Sequence, residues 1–181
     1  MDGETDVANA IGEARRAELV GGQEPFAVIL ACSDSRVPVE LIFDQGLGDL
    51  FVIRVAGNVV APSQIGSVEF AAASLGTRLV VVLGHSNCGA VQATLAQLTD
   101  APDQLSPNLR SIVDLIRPGV EPLLARQSEV SLHDAVVANV HRSVEQLVHG
   151  SEIIEGLIDS RKLMVVGAEY SIETGKVEFF D

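Results

Sequence analysis

Leu79-Val80-Val81-Val82-Leu83 is a run of five apolar residues, three of them β-branched. A run that is apolar on both faces and too short for a buried helix reads as a strand covered on both sides, which is how parallel sheets are built. Phe26–Ala31 and Leu50–Val55 precede it with the same character, and Leu163–Ala168 follows. The intervals supply the covering helices. Helical spacing is predicted over Val7–Val20, over 64–75 behind a Ser63 cap, and onward from about Ala90. Two further helices are predicted, one from Ser106-Pro107 to a stop at Pro118-Gly119 and one from His133 to His149. Val37–Phe43 reads as a short helix, and Lys176–Phe180, reached through Thr174-Gly175, as an antiparallel return. The expected fold class is α/β: a mostly parallel central sheet of about four strands plus an antiparallel C-terminal strand, flanked by helices with right-handed crossovers.

The 181 residues suit a single domain spanning 1–181, with a short N-terminal helical arm at about 7–21. Acidic residues outnumber basic ones 25 to 12, for a formal charge of −13. That balance repels phosphate backbones and acidic headgroups, so neither nucleic acid nor membrane is an expected partner. No run approaches the ~18 apolar residues of a membrane span, and the start lacks the basic and apolar regions of a secretory signal. A cytoplasmic location is expected. In a reducing compartment two cysteines read as ligands or nucleophiles rather than as a disulfide.

Both cysteines lie just past strands. Cys32 opens Cys32-Ser33-Asp34-Ser35-Arg36 after the first strand, and alternation along an extended segment would put Cys32, Asp34 and Arg36 on one side. Gly84-His85-Ser86-Asn87-Cys88-Gly89 follows the Leu79–Leu83 strand, with glycines at 84 and 89 to allow a tight turn and a helix N-terminus aimed at Cys88. Open α/β sheets bind ligands beyond their carboxyl ends. Brought together there, Cys32, His85 and Cys88 form a Cys2His donor set suited to Zn²⁺, and three protein ligands leave a fourth position open, as in catalytic zinc sites. Asp34 and Arg36 beside a metal read as more than a surface ion pair. His133, His141 and His149 are spaced by eight, each rotated by roughly 80° from the last. They cannot share one metal and are expected in solvent, as are Arg15-Arg16 and Arg161-Lys162.

The two motifs together resemble the β-class carbonic anhydrases, a likeness that runs from about Gln23 through Cys88 and resumes at the final strand pair. The resemblance implies one zinc ion per chain on Cys32, His85 and Cys88. It implies the reversible hydration of CO₂ to bicarbonate and a proton through a zinc-bound hydroxide oriented by an Asp34–Arg36 dyad. It also implies a homodimer or dimer of dimers whose interface holds the substrate pocket, with Gln23, Phe51, Phe70 and Gly89 as pocket residues. Two positions depart from the family pattern. Phe70 stands where the plant-type members carry tyrosine, and Ile29 where the bicarbonate-inhibited members carry tryptophan. Two other functions share parts of this chemistry: hydrolysis of COS or CS₂ by the same attack, and a non-catalytic zinc or thiol regulatory module. The intact Asp34–Arg36 pair argues against the module, because a structural site needs no such pair.

Overall fold

In the computed structural model, which describes residues 12–99, 105–126 and 129–180, five strands form one sheet in the order β2-β1-β3-β4-β5. They are β1 (Ala27–Ala31), β2 (Leu50–Arg54), β3 (Leu79–His85), β4 (Met164–Tyr170) and β5 (Val177–Phe179). The first four pair in parallel and β5 returns antiparallel to β4. The helices are α1 (Glu13–Glu18), α2 (Val39–Ile42), α3 (Pro62–Glu69), α4 (Gly89–Thr99), α5 (Pro107–Leu124), α6 (Leu132–His149) and α7 (Glu152–Asp159). The expected α/β class and mostly parallel sheet are borne out.

Alternation sorts the strands' side chains between two faces. Val28, Leu30, Val80 and Val82 pack with Val68, Val140, Leu147 and Ile154 of α3, α6 and α7. Ile29, Ala31, Val81 and Leu83 pack with Val37 and Val39 at the start of α2. A third cluster, formed by α4, α5 and α6, encloses Cys32 and Cys88 with Val91, Ile116, Val120 and Val136. The apolar packing is therefore continuous with the two thiols.

Several boundaries differ from expectation for local reasons. The α3 helix starts at Pro62 rather than after a Ser63 cap. Pro62 presets the first helical φ, and Gln64 Oε1 reaches back to accept the Ala61 N–H at 3.2 Å, satisfying the amide that flanks the first turn. After Glu69 the chain widens into a π-helical turn, Phe70–Ser74. Helix α5 runs through Pro118 and Pro122 to Leu124 instead of stopping at Pro118-Gly119. Val120 is fully buried beyond the first proline, and burial of such side chains, about 1.5–3 kcal/mol each, competes with the proline penalty of about 3 kcal/mol. Gly119 lets α5 approach α6 closely, since a Cβ there would stand 3.1 Å from Ala138 O. Helix α7 has no counterpart in the sequence reading, although Ser151 caps it by accepting the Ile154 N–H at 3.3 Å. Arg15 is not merely solvated: it holds Asp49 at 3.1 Å and the Leu47 carbonyl at 3.1 Å, tying α1 to the entry of β2. Of the predicted helix from Val7, residues up to 11 lie outside the described ones.

Candidate metal centre

The strand order places β1 between β2 and β3, so the chain leaves β1 in one direction for β2 and crosses back for β3. The carboxyl ends of β1 and β3 therefore flank the switch point, where an α/β sheet opens a crevice. Cys32 follows β1, His85 is the last residue of β3, and Cys88 comes three residues later. Their ligand atoms all lie within 4.8 Å of one another, and all three residues are buried. Among the described residues no other group of three or more His, Cys, Asp or Glu side chains converges in this way.

Each donor is held from outside. His85 is fully buried, and its Nδ1 lies 2.9 Å from the Ser86 carbonyl. That contact fixes the ring's tautomer and aims Nε2 at the cysteines. Nε2 is buried and has no hydrogen-bond partner in the protein, an orphan that a metal would satisfy. Cys32 Sγ accepts the Gly57 N–H at 3.3 Å, and the α4 amides of Ala90 and Val91 bond to Cys88. The hydrogen bond from Cys88 holds the Cys32 thiol down to about 4 despite burial, and His85 and Gly57 add to the effect. The same contact with Cys32, followed by burial, pushes Cys88 up. Burial opposes charge on the His85 ring, but the neighbouring Cys32 offsets this and the net shift is upward. Two sulfurs and an imidazole at this separation suit a borderline-soft divalent ion.

The second half of the site is a clamp. Arg36 donates Nε to Asp34 Oδ1 at 2.9 Å and Nη2 to Oδ2 at 2.7 Å, and its backbone N–H also reaches Oδ1 at 2.9 Å. This arrangement is a turn and not the extended segment expected. The Val37 N–H bonds to the Asp34 carbonyl at 3.0 Å, and the side chain of Asp34 mimics a second backbone turn. The guanidinium of Arg36 keeps the Asp34 carboxyl well below the usual carboxylate range. Oδ2 lies 3.9 Å from His85 Nε2, so the ionised carboxylate faces the metal-binding corner. Arg36 Nη2 also donates to the Asn87 carbonyl at 3.3 Å. One side chain thus spans both loops.

The tight turn between His85 and Cys88 comes from Asn87, at φ 57°, and not from the flanking glycines, neither of which has positive φ. Gly84 instead permits close packing, because a Cβ there would stand 2.5 Å from Val140 Cγ2 of α6. The sequence reading also missed Arg54, at the end of β2. It donates Nε to the Cys32 carbonyl at 3.1 Å and Nη2 to the Asp34 carbonyl at 2.6 Å, strapping the reactive loop to the sheet edge. Nothing local in the sequence marks this arginine, because its partners are backbone atoms 20 and 22 positions away.

The expected pocket residues do not gather here. Gln23 is exposed before β1, in a groove with Arg15, Leu19 and Gly48. Phe51 is paired in register with Val28, three rungs below the Ala31–Arg54 rung, or about 10 Å along the strand. Phe70 is half-exposed and tilts against Phe51 with ring centroids 6.2 Å apart. Gly89 alone adjoins the metal corner, lining an apolar cavity of about 280 Å³ with Ala56, Ala90 and Ile112. Of the remaining histidines, His133 and His141 are exposed as expected, though His133 also meets the largely buried Glu169 at 2.9 Å and His141 packs on the Phe180 ring at 5.3 Å. His149, likewise expected in solvent, is exposed but meets Glu155 at 3.3 Å.

The family profile described as carbonic anhydrase matches residues 27–177. Carbonic anhydrase 2 of Mycobacterium tuberculosis is 42% identical over 167 residues, covering 92% of this chain and 79% of the relative. The carbonic anhydrase of Mycolicibacterium smegmatis is 43% identical over 169 residues, covering 92% and 80%. Among solved structures, the β-carbonic anhydrase CcaA superposes with a TM-score of 0.85 at 29% identity, covering 93% of this chain and 78% of that one. A chain from the crystal structures of two tetrameric β-carbonic anhydrases of Sordaria macrospora superposes with a TM-score of 0.76 at 25% identity, covering 91% of this chain and 85% of that one. No described helix is long and apolar enough to cross a membrane. With the profile spanning the four parallel strands and both reactive loops, the chain belongs to the β-class carbonic anhydrase family.

Proposed function

We propose that this chain interconverts CO₂ and bicarbonate using one zinc ion held by Cys32, His85 and Cys88. The observation that carries this is the three buried donor atoms within 4.8 Å of one another, faced by a carboxylate that Arg36 holds in a two-pronged clamp. Zinc with an open fourth position acidifies water and so supplies a nucleophile near neutral pH.

The protein's part is orientation. Asp34, ionised throughout the neutral range because of Arg36, accepts a hydrogen bond from the nucleophile's O–H and aims its lone pair at the substrate carbon. Arg36 stops Asp34 from entering the metal's open position, and Arg54 fixes the backbone on which both Cys32 and Asp34 ride. Two thiolates cancel the dication's charge, so turnover is expected to rise with pH through or above neutrality.

The pocket is completed by a second copy, which brings Gln23, Phe51 and Phe70 toward the Gly89 side of the first. Support comes from their distance from the corner within one chain and from the exposed apolar Phe26, Leu41 and Phe70. A homodimer or dimer of dimers follows. The profile's span from 27 to 177 supports one domain, and ligand cysteines suit the reducing cytoplasm.

Stopped-flow CO₂ hydration on metal-quantified protein, run beside COS and CS₂, tests the reading. Turnover of CO₂ should scale with zinc content. Fully zinc-loaded protein inert toward CO₂ would leave only the other substrates or a regulatory role.

A further inference from the structure

Two polar residues interrupt the buried stripe of α6. Asn139 and Ser143 lie four positions apart, each about 1% exposed, amid Val136, Val140 and Leu147. Asn139 Nδ2 donates to the Gly57 carbonyl at 2.8 Å, and Ser143 Oγ donates to the Asn58 carbonyl at 3.0 Å. Both acceptors belong to the Ala56–Asn58 turn, whose residues Gly57 (φ 72°) and Asn58 (φ 44°) are consecutive in the left-handed region. Such a pair is costly for a non-glycine residue and persists only where its surroundings impose it. The turn's product is the Gly57 N–H aimed at Cys32 Sγ, 3.3 Å away. Substitution of Gly57 is disfavoured as well, since its φ is positive and a Cβ would press on Ile116 Cδ1 at 2.8 Å.

We propose that Asn139, assisted by Ser143, is a positioning residue for the metal ligand Cys32: it locks the 56–58 turn so that the Gly57 amide hydrogen-bonds the ligand sulfur. Packing alone does not account for the pair. Asn139 Oδ1 and Asn58 Nδ2 are buried without a protein partner, a cost that apolar side chains of similar size would avoid. Outer partners of this kind orient a metal ligand and set how much charge it donates. Here the amide draws electron density from one sulfur, leaving the metal more electrophilic than two unbonded thiolates would. A helix on the far side of the turn thereby tunes one of the ligands.

The inference rests on Cys32 being a metal ligand, and the test separates the two. Cobalt(II) is loaded in place of zinc, and the sulfur-to-cobalt charge-transfer band is recorded along with the rate of metal loss to a chelator. Asn139→Ala and Asn139→Asp should both move the band to lower energy and speed metal loss about 10- to 100-fold. Ser143→Ala should do the same to a smaller extent. Leu147→Ala on the same helix is the control: it loosens the core but should leave band and release unchanged. A wild type that takes up no cobalt, or shows no such band, defeats the metal assignment itself. A wild-type band that stays put in folded Asn139 variants defeats only the positioning role. Should those variants not fold, an unmoved band in Ser143→Ala, which loses a single oxygen, defeats that role equally.

Discussion

The carboxyl and amino ends of this sheet differ in how much each is finished within one chain. At the carboxyl end of β1 and β3 every reactive group has an internal partner: Cys32 has Gly57, His85 has Ser86, and Asp34 has both Arg36 and the reach of His85. Below it, Gln23 stands exposed and the Phe51–Phe70 pair lies along the sheet edge with one ring half in solvent. Reactive groups need fixed distances, which buried backbone supplies. A pocket for a small neutral molecule needs only walls, and walls can come from a neighbour. The contrast teaches that reactivity is carried within each chain, while on the proposed function substrate enclosure would fall to the pairing of copies.

The most severe way to break the contrast is to remove a donor. Cys88→Ser should lose bound zinc, measured by atomic emission, and CO₂ hydration should fall to background. A mixing experiment sharpens it further. Chains carrying Cys88→Ser and chains carrying Gln23→Ala, each inactive or weak alone, should regain about a quarter of wild-type activity when refolded together, since half the dimers would hold one complete site. No recovery would put the amino-end residues outside the pocket.

Arg36→Ala should cut turnover roughly 100-fold, the scale of a misplaced catalytic group, with zinc still at one per chain; loss of zinc would make Arg36 structural. The clamp also predicts a pH signature. Because Asp34 is held below its ordinary value in the fold, it contributes stability above about pH 4 that is lost as the pH falls through the acid range. Thermal melts from pH 6 to 3 should show a shallower acid decline in Arg36→Ala than in the wild type.

Gly84→Ala drives a methyl into Val140 and should cost about 1–3 kcal/mol in urea unfolding. Adding Val140→Ala should restore part of that loss, a coupling that remote sites would not show. The smallest change is Phe70→Tyr. If it faces a partner's pocket, one added hydroxyl should alter KM within about tenfold, leaving zinc content untouched.

The sequence made most of the chemistry legible because it is local. Cys32 to Arg36 and His85 to Cys88 are short segments, each tied to a strand end that its own apolar run announces. The C-terminal return was readable for the same reason, with Gly175 at φ 71° where the turn was expected. What escaped was set by contacts between distant positions. The prolines of α5 were outweighed by buried neighbours, and α7 was overlooked despite its serine cap. Arg54 acts on carbonyls that any residue would possess. Asn139 and Ser143 did leave a trace, as polar residues four apart in an apolar stripe, but their target lies 82 and 85 positions back.

Composition and pattern by themselves determined a parallel α/β sheet, two cysteines and a histidine at its strand ends, and a carboxylate with its guanidinium. Hydrophobic periodicity and side-chain spacing are properties of the chain, so they survive without coordinates. Tertiary structure alone decided that the three donors meet within 4.8 Å, that Asn87 rather than glycine makes the turn, and that Gln23, Phe51 and Phe70, expected at the pocket, stand apart from the metal corner. Those outcomes depend on strand order and on helix packing against the sheet, where the energies of many weak contacts are settled together.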